Sequence, residues 1–321
     1  MTRPNLRKTS VYLQQLNRPF AQPFIYHLRQ LGELAGTLAV VLGLNGCATP
    51  KAPVQPAHKE VIHAVTASNQ LIRFNAAQPD GVVSAKPIVG LQPGETLVGI
   101  DYRVAKGMLY GIGSTSRLYL IDTATAVASQ VGNGVFPVVL SGTEIGVDFN
   151  PTVDRIRVVS NLGLNMRLHP DTAAVVDSDP VRDGVQTDGP LAYAVGDPNY
   201  GKVPALVGAA YTYNKNNEKI TTNFAIDGKY GVLVTQGSRE GVTPAVSPNT
   251  GQLMSVGPLG IGSFEQASFD IADLSGTAFA IVTKAGEKRS GLYQVNLATG
   301  KAELIGRVGM DATIVGMAIQ P

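Results

Sequence analysis

The stretch LVGIDYRVAKGMLYGIGSTSRLYLIDTATAVASQVG, residues 97–132, is a repeat unit from which most of the chain can be interpreted. It contains four short apolar runs, at 97–102, 108–112, 118–121 and 128–131, separated by Gly, Asp, Thr and Ser. Runs of this length, rich in Val, Ile, Leu and Tyr and bounded by turn residues, are typical of β-strands. None is long enough for an ordinary helix. The unit therefore predicts one antiparallel meander of four strands.

The same unit recurs along the chain. Counterparts of its first strand are IGVDF at 145–149, VGAAY at 207–211 and ASFDI at 267–271. Two fragments remain: VIHAVT and LIRFN after residue 60, and VGMAI at 315–319, which together complete a fifth copy. In a β-propeller, four-stranded blades repeat radially and only short edges are left. We therefore predict an all-β propeller of five four-stranded blades over residues 61–321, closed by the C-terminal strand joining the N-terminal blade.

Two alternatives to this fold stay open at the level of the sequence. A sixth blade could lie within 180–204 or 238–262, because both intervals are longer than the repeat requires. An open β-sandwich or a solenoid would also be built from short strands bounded by turns.

Residues 1–46 are predicted to be a signal peptide. Basic residues precede an apolar stretch at 34–44 that is too short to span a bilayer as a helix. The following Leu-Asn-Gly-Cys resembles the lipobox of bacterial lipoproteins, which implies cleavage before Cys47 and lipidation of its thiol and amine. Residues 47–60, rich in Pro and Ala, would then be the lipidated Cys and a semi-extended tether. The alternative is a chance Cys after an ordinary signal peptide.

These features predict a location in the cell envelope. A lipid anchor would hold the protein on the membrane, with palmitate as a typical acyl chain. Ala48 follows Cys47, and the absence of Asp there favours the outer membrane over the inner one. The domain would face the periplasm or the cell surface.

Charge argues against nucleic acid as a partner. The whole chain has a formal net charge of +2, but residues 1–46 hold five basic residues and one acidic residue. The remainder is therefore slightly acidic and carries no basic surface pattern of the kind that nucleic acids require. The sequence also lacks a phosphate-binding loop, a GxSxG motif and any spacing of His and Cys suited to zinc.

Three repeats carry an aspartate at the same position of the first strand, where a propeller lines its axis. These residues are Asp101, Asp148 and Asp270, while Ala210 and Ala318 occupy the other two repeats. A ring of carboxylates could bind a cation such as Ca²⁺ or serve as acid and base in glycoside cleavage. Alternatively, each aspartate accepts a hydrogen bond from the backbone of its own or the next blade and acts as a structural latch.

The repeat that starts at 145 departs from the others in charge. Alignment places Arg157 opposite Tyr110 and Arg167 opposite Tyr119. Since Arg is seldom buried without a partner, these positions suggest either a patch that binds an anion or carboxylate, or a structural Arg–Asp network between blades. The candidate binding residues of this repeat are Asn150, Asp154, Arg155, Arg157, Asn165 and Arg167.

The insertion 177–204 contains five aspartates among Gly and Pro. Oxygen-rich loops of this kind can bind Ca²⁺, but the spacing matches no EF-hand. The alternative is a solvated loop with aspartates in turns. No cofactor is predicted, and Ca²⁺ at this loop or at the axial carboxylates is the one candidate ion.

Several ordered motifs carry a family resemblance. They include LQPGETLVGIDYR at 91–103, DFNPTVDRIRVVSN at 148–161, NMRLHPDTAAV at 165–175 and LAYAVGDPN at 191–199. Together they resemble the bacterial domain of unknown function 4394 family over nearly all of 61–321. The resemblance implies a propeller-like repeat domain, typically secreted or attached to the envelope, and implies no catalytic residues.

The sequence thus favours a non-enzymatic binding or scaffold domain anchored in the envelope, with a protein, glycan or small molecule as ligand. One alternative is a hydrolase of envelope glycans or esters that uses the axial carboxylates, with Arg157 or Arg167 orienting the substrate. Another is a purely structural envelope protein.

Overall fold

The computed structural model describes residues 58–321, which lie within one compact unit, Gln55–Pro321. Cys47, the predicted signal peptide and most of the predicted tether lie outside the described residues. Twenty strands and two short 3-10 helices, Val104–Lys106 and Pro248–Thr250, make up the regular structure of the described part. None of the helices described there has the length and apolar character needed to cross a bilayer.

The strands form five sheets arranged as blades. Blade 1 contains β1 (Val61–Thr66), β2 (Gln70–Asn75), β3 (Ser84–Pro87) and β20 (Ile314–Ile319), and blade 2 contains β4 (Leu97–Arg103), β5 (Met108–Gly113), β6 (Arg117–Ile121) and β7 (Ala128–Val131). Blade 3 contains β8 (Ile145–Asn150), β9 (Arg155–Ser160) and β10 (Asn165–Leu168). Blade 4 contains β11 (Ala192–Tyr193), β12 (Leu206–Tyr211), β13 (Asn223–Asp227), β14 (Val232–Gln236) and β15 (Gln252–Pro258), and blade 5 contains β16 (Phe264–Ile271), β17 (Ala278–Lys284), β18 (Gly291–Val295) and β19 (Ala302–Arg307).

The predicted closure of the ring is confirmed. The C-terminal strand β20 pairs antiparallel with β1, with Ile62 opposite Ile319 and Ala64 opposite Met317. It is therefore the first strand of blade 1, although it comes last in the chain. The first strands β20, β4, β8, β12 and β16 contact one another in turn and complete a circle of five.

Two blades depart from the predicted four strands. Blade 3 has three, because the chain beyond β10 makes a single bridge, Leu168 with Val175, instead of an outer strand. The insertion that follows supplies β11, which pairs parallel with β15 and gives blade 4 a fifth strand. The intervals that could have held a sixth blade thus contribute β11 and β15 to blade 4.

The core lies between neighbouring blades. Because each blade packs against a neighbour on both faces, the inner strands are apolar on both faces, as in β17, where every residue from Ala278 to Thr283 is buried. Between blades 2 and 3, the rings of Tyr110 and Phe149 meet edge to face with centroids 5.3 Å apart. Each large apolar side chain buried in this way stabilises the fold by roughly 1.5–3 kcal/mol.

Glycines allow the first strands to converge at the axis. Gly99, Gly146, Gly208 and Gly316 occupy one level of the ring, and Ser268 occupies the fifth place. A Cβ on Gly146 would lie 2.8 Å from the carbonyl carbon of Gly208, which is too close for any side chain. The next inward-facing residues along these strands are the aspartates and alanines of the repeat, since alternate residues of a strand share a face.

The meander also determines where the turns lie. In each blade the turn after the first strand and the turn after the third strand are at the same end, because successive strands are antiparallel. We call this end of the propeller the upper face. In blade 1 it is where β20 ends and β1 begins, so Ile319 and Val61 lie there together.

Candidate functional site

The three aspartates predicted to face the axis meet there. Asp101, Asp148 and Asp270 lie near the upper ends of β4, β8 and β16 and are between 4% and 6% exposed. One oxygen of each carboxylate lies within 4.8 Å of the corresponding oxygens of the other two. Among the described residues, this is the one group of three or more His, Cys, Asp or Glu side chains with the geometry to hold a metal ion.

Each axial aspartate accepts a hydrogen bond from the first strand of the next blade. The Oδ2 atom of Asp101 accepts from the backbone N–H of Phe149 at 2.7 Å, and that of Asp148 from Tyr211 at 2.8 Å. The Oδ2 atom of Asp270 accepts from the backbone N–H of Ile319 at 2.6 Å. The trio therefore latches blade 2 to blade 3, blade 3 to blade 4 and blade 5 to blade 1.

Burial makes these carboxylates difficult to ionise. It raises the pKa of Asp101 and of Asp148 well above the ordinary range, and the neighbouring aspartates raise both further. Burial also raises the pKa of Asp270 to about 7. The space between them is about 10 Å³, enough for one water or one ion. The trio can share protons or hold one cation, since two oxygens on opposite sides of a Ca²⁺ ion are about 4.8 Å apart.

We expect the stability of the protein to fall as the pH rises from about 4 to about 7 in the presence of a chelator. The folded-state pKa of Asp270, about 7, exceeds the ordinary value of 3.8. Its protonated form therefore stabilises the fold below the unfolded pKa, and this contribution is lost as pH rises through the folded pKa. The measurement is the thermal midpoint against pH for the wild type and for Asp270→Asn, which keeps the acceptor for Ile319. Equal slopes for the two proteins would contradict the expectation.

Arg157 lies inside the protein and not on a binding surface. Its side chain is 1% exposed, and its guanidinium donates to Asp188, to Oδ1 of Asn165 at 2.7 Å and to Oδ1 of Asn249 at 2.6 Å. It also reaches the hydroxyl of Tyr211 in blade 4 at 3.2 Å. Arg157 and Asn165, both predicted as binding residues, thus belong to a network between blades 3 and 4.

Asp188 is the carboxylate that the sequence did not indicate for this network. It lies 31 residues after Arg157 and its side chain is 0% exposed. It accepts from Arg157 and also pairs side-on with Arg167, at 2.8 Å from both Nε and Nη2. The only signal in the sequence was an excess of aspartates in an insertion.

Asp154 also has a structural partner. With Asp171, it holds the buried guanidinium of Arg103, and Nε of Arg103 donates to Oδ1 of Asp154 at 2.8 Å. Arg103 lies in blade 2, while both aspartates lie in blade 3. The two ion pairs of Arg103 therefore form a second clamp between blades. The carboxylates of Asp154 and Asp171 are engaged in it and are not free for a ligand.

Three of the predicted binding residues do line one cleft on the upper face. Asn150, Arg155 and Arg167 of blade 3 line a cavity of about 330 Å³ with residues of the loop between β14 and β15 in blade 4. We call it the arginine cleft. Its other lining residues are Val153, Val176, Ser247, Pro248 and Asn249. Among the described residues that line it, none is acidic.

A larger cleft, about 730 Å³, lies on the same face between blades 5 and 1. We call it the large cleft; its walls are the segments 58–61, 272–275 and 319–321 with Arg73, Thr277 and Gln294. Asp273 and Ile319 line both this cleft and the space around the axial carboxylates, so the two adjoin. The sequence did not predict this cleft, because its walls come from opposite ends of the chain.

The large cleft carries charges of both signs. Burial raises the pKa of Asp273 to about 6. Oε1 of Glu60 accepts from the hydroxyl of Ser275 at 2.7 Å, while Oε2 is buried without a hydrogen-bond partner among residues 58–321 and lies 3.9 Å from Nδ1 of His58. Arg73 has no acidic partner among the described residues; together with burial, which is the larger effect, its charge lowers the pKa of His63 to about 4.

In the described part of the chain, the aspartates of the insertion are not gathered into a group of three with the geometry to hold a metal ion. Asp177 and Asp179 accept from backbone N–H groups two residues later, as in ordinary turns, and Asp183 is exposed. Asp197 accepts from Ser255 of β15 at 2.6 Å. The loop therefore fits the alternative interpretation, in which its aspartates lie in turns, except for Asp188.

These features define a class: a five-bladed propeller whose axis is latched by buried aspartates and whose upper face bears two clefts. The sequence model of the family described as Domain of unknown function (DUF4394) matches residues 70–318. The chain belongs to that family. No curated protein matches the chain.

Three solved structures are similar to much of the chain at low sequence identity. A chain in the nidogen/laminin complex is 10% identical, with 82% of this chain and 98% of that chain covered and a TM-score of 0.45. A protein of unknown function from Bacteroides thetaiotaomicron is 14% identical, with 81% and 63% covered and a TM-score of 0.42. TolB from Acinetobacter baumannii is 12% identical, with 83% and 68% covered and a TM-score of 0.41.

Proposed function

We propose that this protein is a lipid-anchored binding module of the bacterial cell envelope that holds a segment of another protein in the large cleft. The observation that carries the proposal is the cleft itself, about 730 Å³ in volume and situated beside the axis. Pockets that enclose small-molecule ligands are typically of roughly 300–1,000 Å³, so the cleft has room for a few side chains of a protein segment. The hydrogen bond from Ile319 of blade 1 to Asp270 of blade 5 joins the two blades that form the walls, which lowers the cost of ordering them on binding.

The chemistry of the walls favours a polypeptide. Arg73 and Lys59 offer cations, Glu60 and Asp273 offer carboxylates, and Gln294 and Gln320 offer amides, while Leu274 is apolar and exposed. The chain has no Trp, and no Phe or Tyr is among the described residues that line the cleft, so this part of the chain offers no such aromatic ring for a sugar to stack on. A peptide segment with side chains of both charges can satisfy these groups together.

The geometry of the axial residues gives little support to the alternative that the protein is a hydrolase. Retaining and inverting glycosidases need two carboxylates on either side of a bond, with a sugar between them. The space at Asp101, Asp148 and Asp270 is about 10 Å³, and each carboxylate already accepts a backbone hydrogen bond. Of the two arginines expected to orient a substrate, Arg157 is enclosed between blades 3 and 4, and Arg167 is paired with Asp188.

A photo-crosslinking amino acid at Gln294, in the large cleft, is expected to capture one protein in living cells. The same amino acid at Leu162, which is 72% exposed and lies in the turn between β9 and β10 on the opposite face, is expected not to capture it. Adding Arg73→Glu should abolish capture at Gln294, because it reverses the unpaired charge in the cleft. Equal capture at both positions, or capture that is insensitive to Arg73→Glu, would refute the cleft as the binding site.

Replacing Cys47 with Ser is expected to release the protein from the membrane fraction and to end its labelling by radioactive palmitate. The reason is that serine offers no thiol for the diacylglycerol that anchors a lipoprotein, and stable anchoring needs more than one acyl chain. Fractionation and labelling of wild type and variant measure this directly. A Cys47→Ser protein that stays acylated and membrane-bound would exclude the lipid anchor without affecting the cleft.

A further inference from the structure

Positive charge exceeds negative charge around the arginine cleft. Asp188 is the single carboxylate that pairs with both Arg157 and Arg167, and Arg155 has no ion pair in the described part of the chain. Asp154, the residue next to Arg155, is already engaged by Arg103 of blade 2. Two of the three guanidinium groups thus share one acid, and the third, that of Arg155, has no acid among the described residues.

Several donors in this cleft have no acceptor. Arg155 uses only Nη1, which donates to the carbonyl oxygens of Val153 at 3.3 Å and Asp154 at 2.8 Å. Its Nε and Nη2 have no partner among the described residues, and neither has Nη1 of Arg167, whose Nε and Nη2 face Asp188. Oδ1 of Asn150 accepts from Thr152, and its Nδ2 is free of partners in the same part of the chain. The described residues that line the cleft therefore offer N–H groups and no carboxylate.

We propose that the arginine cleft is a binding site for a small organic oxyanion, whose carboxylate or phosphate group pairs with Arg155 and Arg167. The planar fork of arginine suits both groups, because two parallel N–H donors match two oxygens. Such an anion would supply the charge that the three arginines lack and the acceptors that their free donors need.

The size and lining of the cleft indicate that the anion carries a carbon skeleton. A volume of about 330 Å³ exceeds the needs of a lone inorganic ion and lies at the lower end of the range for small-molecule sites. Val153, Val176 and Pro248 provide apolar wall beside the arginines. A sugar acid or a sugar phosphate has the charge and the size to fit.

This site is separate from the one proposed for a protein segment. The arginine cleft lies between blades 3 and 4, and the large cleft between blades 5 and 1, with no lining residue in common. The inference therefore does not depend on the proposed function, and either site can fail its test alone.

The test is calorimetric titration of the full chain with glucuronate, glucose 6-phosphate and glucose. We expect one or both of the anions to bind and neutral glucose not to bind. Arg155→Glu should weaken anion binding at least tenfold, because it reverses a charge that contacts the oxyanion, and Arg155→Ala should weaken it less. The matched control is Arg182→Glu, the same charge change at an exposed position in the insertion.

Each outcome decides the matter. Binding of glucuronate alone would assign the site to carboxylates, and binding of glucose 6-phosphate alone would assign it to phosphates. If neither anion binds, if glucose binds equally well, or if Arg182→Glu weakens binding as much as Arg155→Glu, the proposal is wrong. Thermal unfolding of each variant shows that it is folded, and crosslinking at Gln294 should not respond to Arg155→Glu.

Discussion

Deleting Val315–Pro321 is expected to abolish the cooperative unfolding transition of this protein. The deletion removes most of β20, including the buried side chains of Met317 and Ile319. Truncating a buried Met or Ile costs roughly 2–5 kcal/mol each, and a whole domain is stable by only about 5–15 kcal/mol. The deletion also exposes the edge of β1 and leaves the carboxylate of Asp270 without its hydrogen bond from Ile319.

Circular dichroism during heating, together with limited proteolysis, measures this effect. The control is deletion of Gln320 and Pro321 alone; both are exposed, and the loss is one backbone hydrogen bond from Gln320 to Val61. We expect that control to cost about 1 kcal/mol. A longer deletion with an unchanged melting profile would mean that the ring does not need β20 to close.

Replacing Asp188 with Ala is expected to destabilise the fold by about 3–5 kcal/mol, the usual cost of leaving a buried charge unpaired. Arg157 would keep its charge at 1% exposure with only neutral partners, and Arg167 would lose its one acid. For a domain of this size the midpoint of thermal unfolding should fall by roughly 10 °C.

Asp183→Ala is the matched control for Asp188, since it removes an exposed carboxylate from the same insertion and should change stability by less than about 0.5 kcal/mol. Arg157→Met on the Asp188→Ala background should recover part of the loss, because the unpaired charge disappears. If Asp188→Ala were no more destabilising than Asp183→Ala, the buried ion pair would not be what joins blades 3 and 4.

The repeat allowed the propeller to be predicted from the sequence, because each blade carries its own turns and alternating apolar residues. LYLIDTATA in blade 2 and LYQVNLATG in blade 5 fold into β6 and β18 with the turns that follow them. Strand number per blade was predicted less well. An outer strand pairs with only one neighbouring strand, so its position is less constrained by the repeat. In blade 3 no fourth strand forms, and the segment that follows supplies β11, which pairs with β15 of blade 4.

The candidate residues show where such reasoning stops. Asp101, Asp148 and Asp270 could be placed together because the repeat places them at one position of the first strand. The partner of Arg157 could not be found in this way, since Asp188 is in an insertion that has no counterpart in other blades. Contacts of this kind depend on which part of the fold a loop packs against, and no local sequence pattern encodes that.

By itself, the sequence predicted five repeats, with a sixth left open, and it predicted the closing strand and the axial level of each aspartate, because these follow from the alternation of side chains along strands and from counting equivalent units. The lipid anchor stays a prediction of the same kind. Only the tertiary structure decided which charged side chains form ion pairs between blades and which line a cleft. The physical reason is that a buried charge is paired by a residue that is close in space, whatever its distance along the chain. Arg157 pairs with Asp188, and Arg103 pairs with Asp154 and Asp171. Arg155 has no ion pair in the described part of the chain and keeps N–H donors that no described residue accepts from.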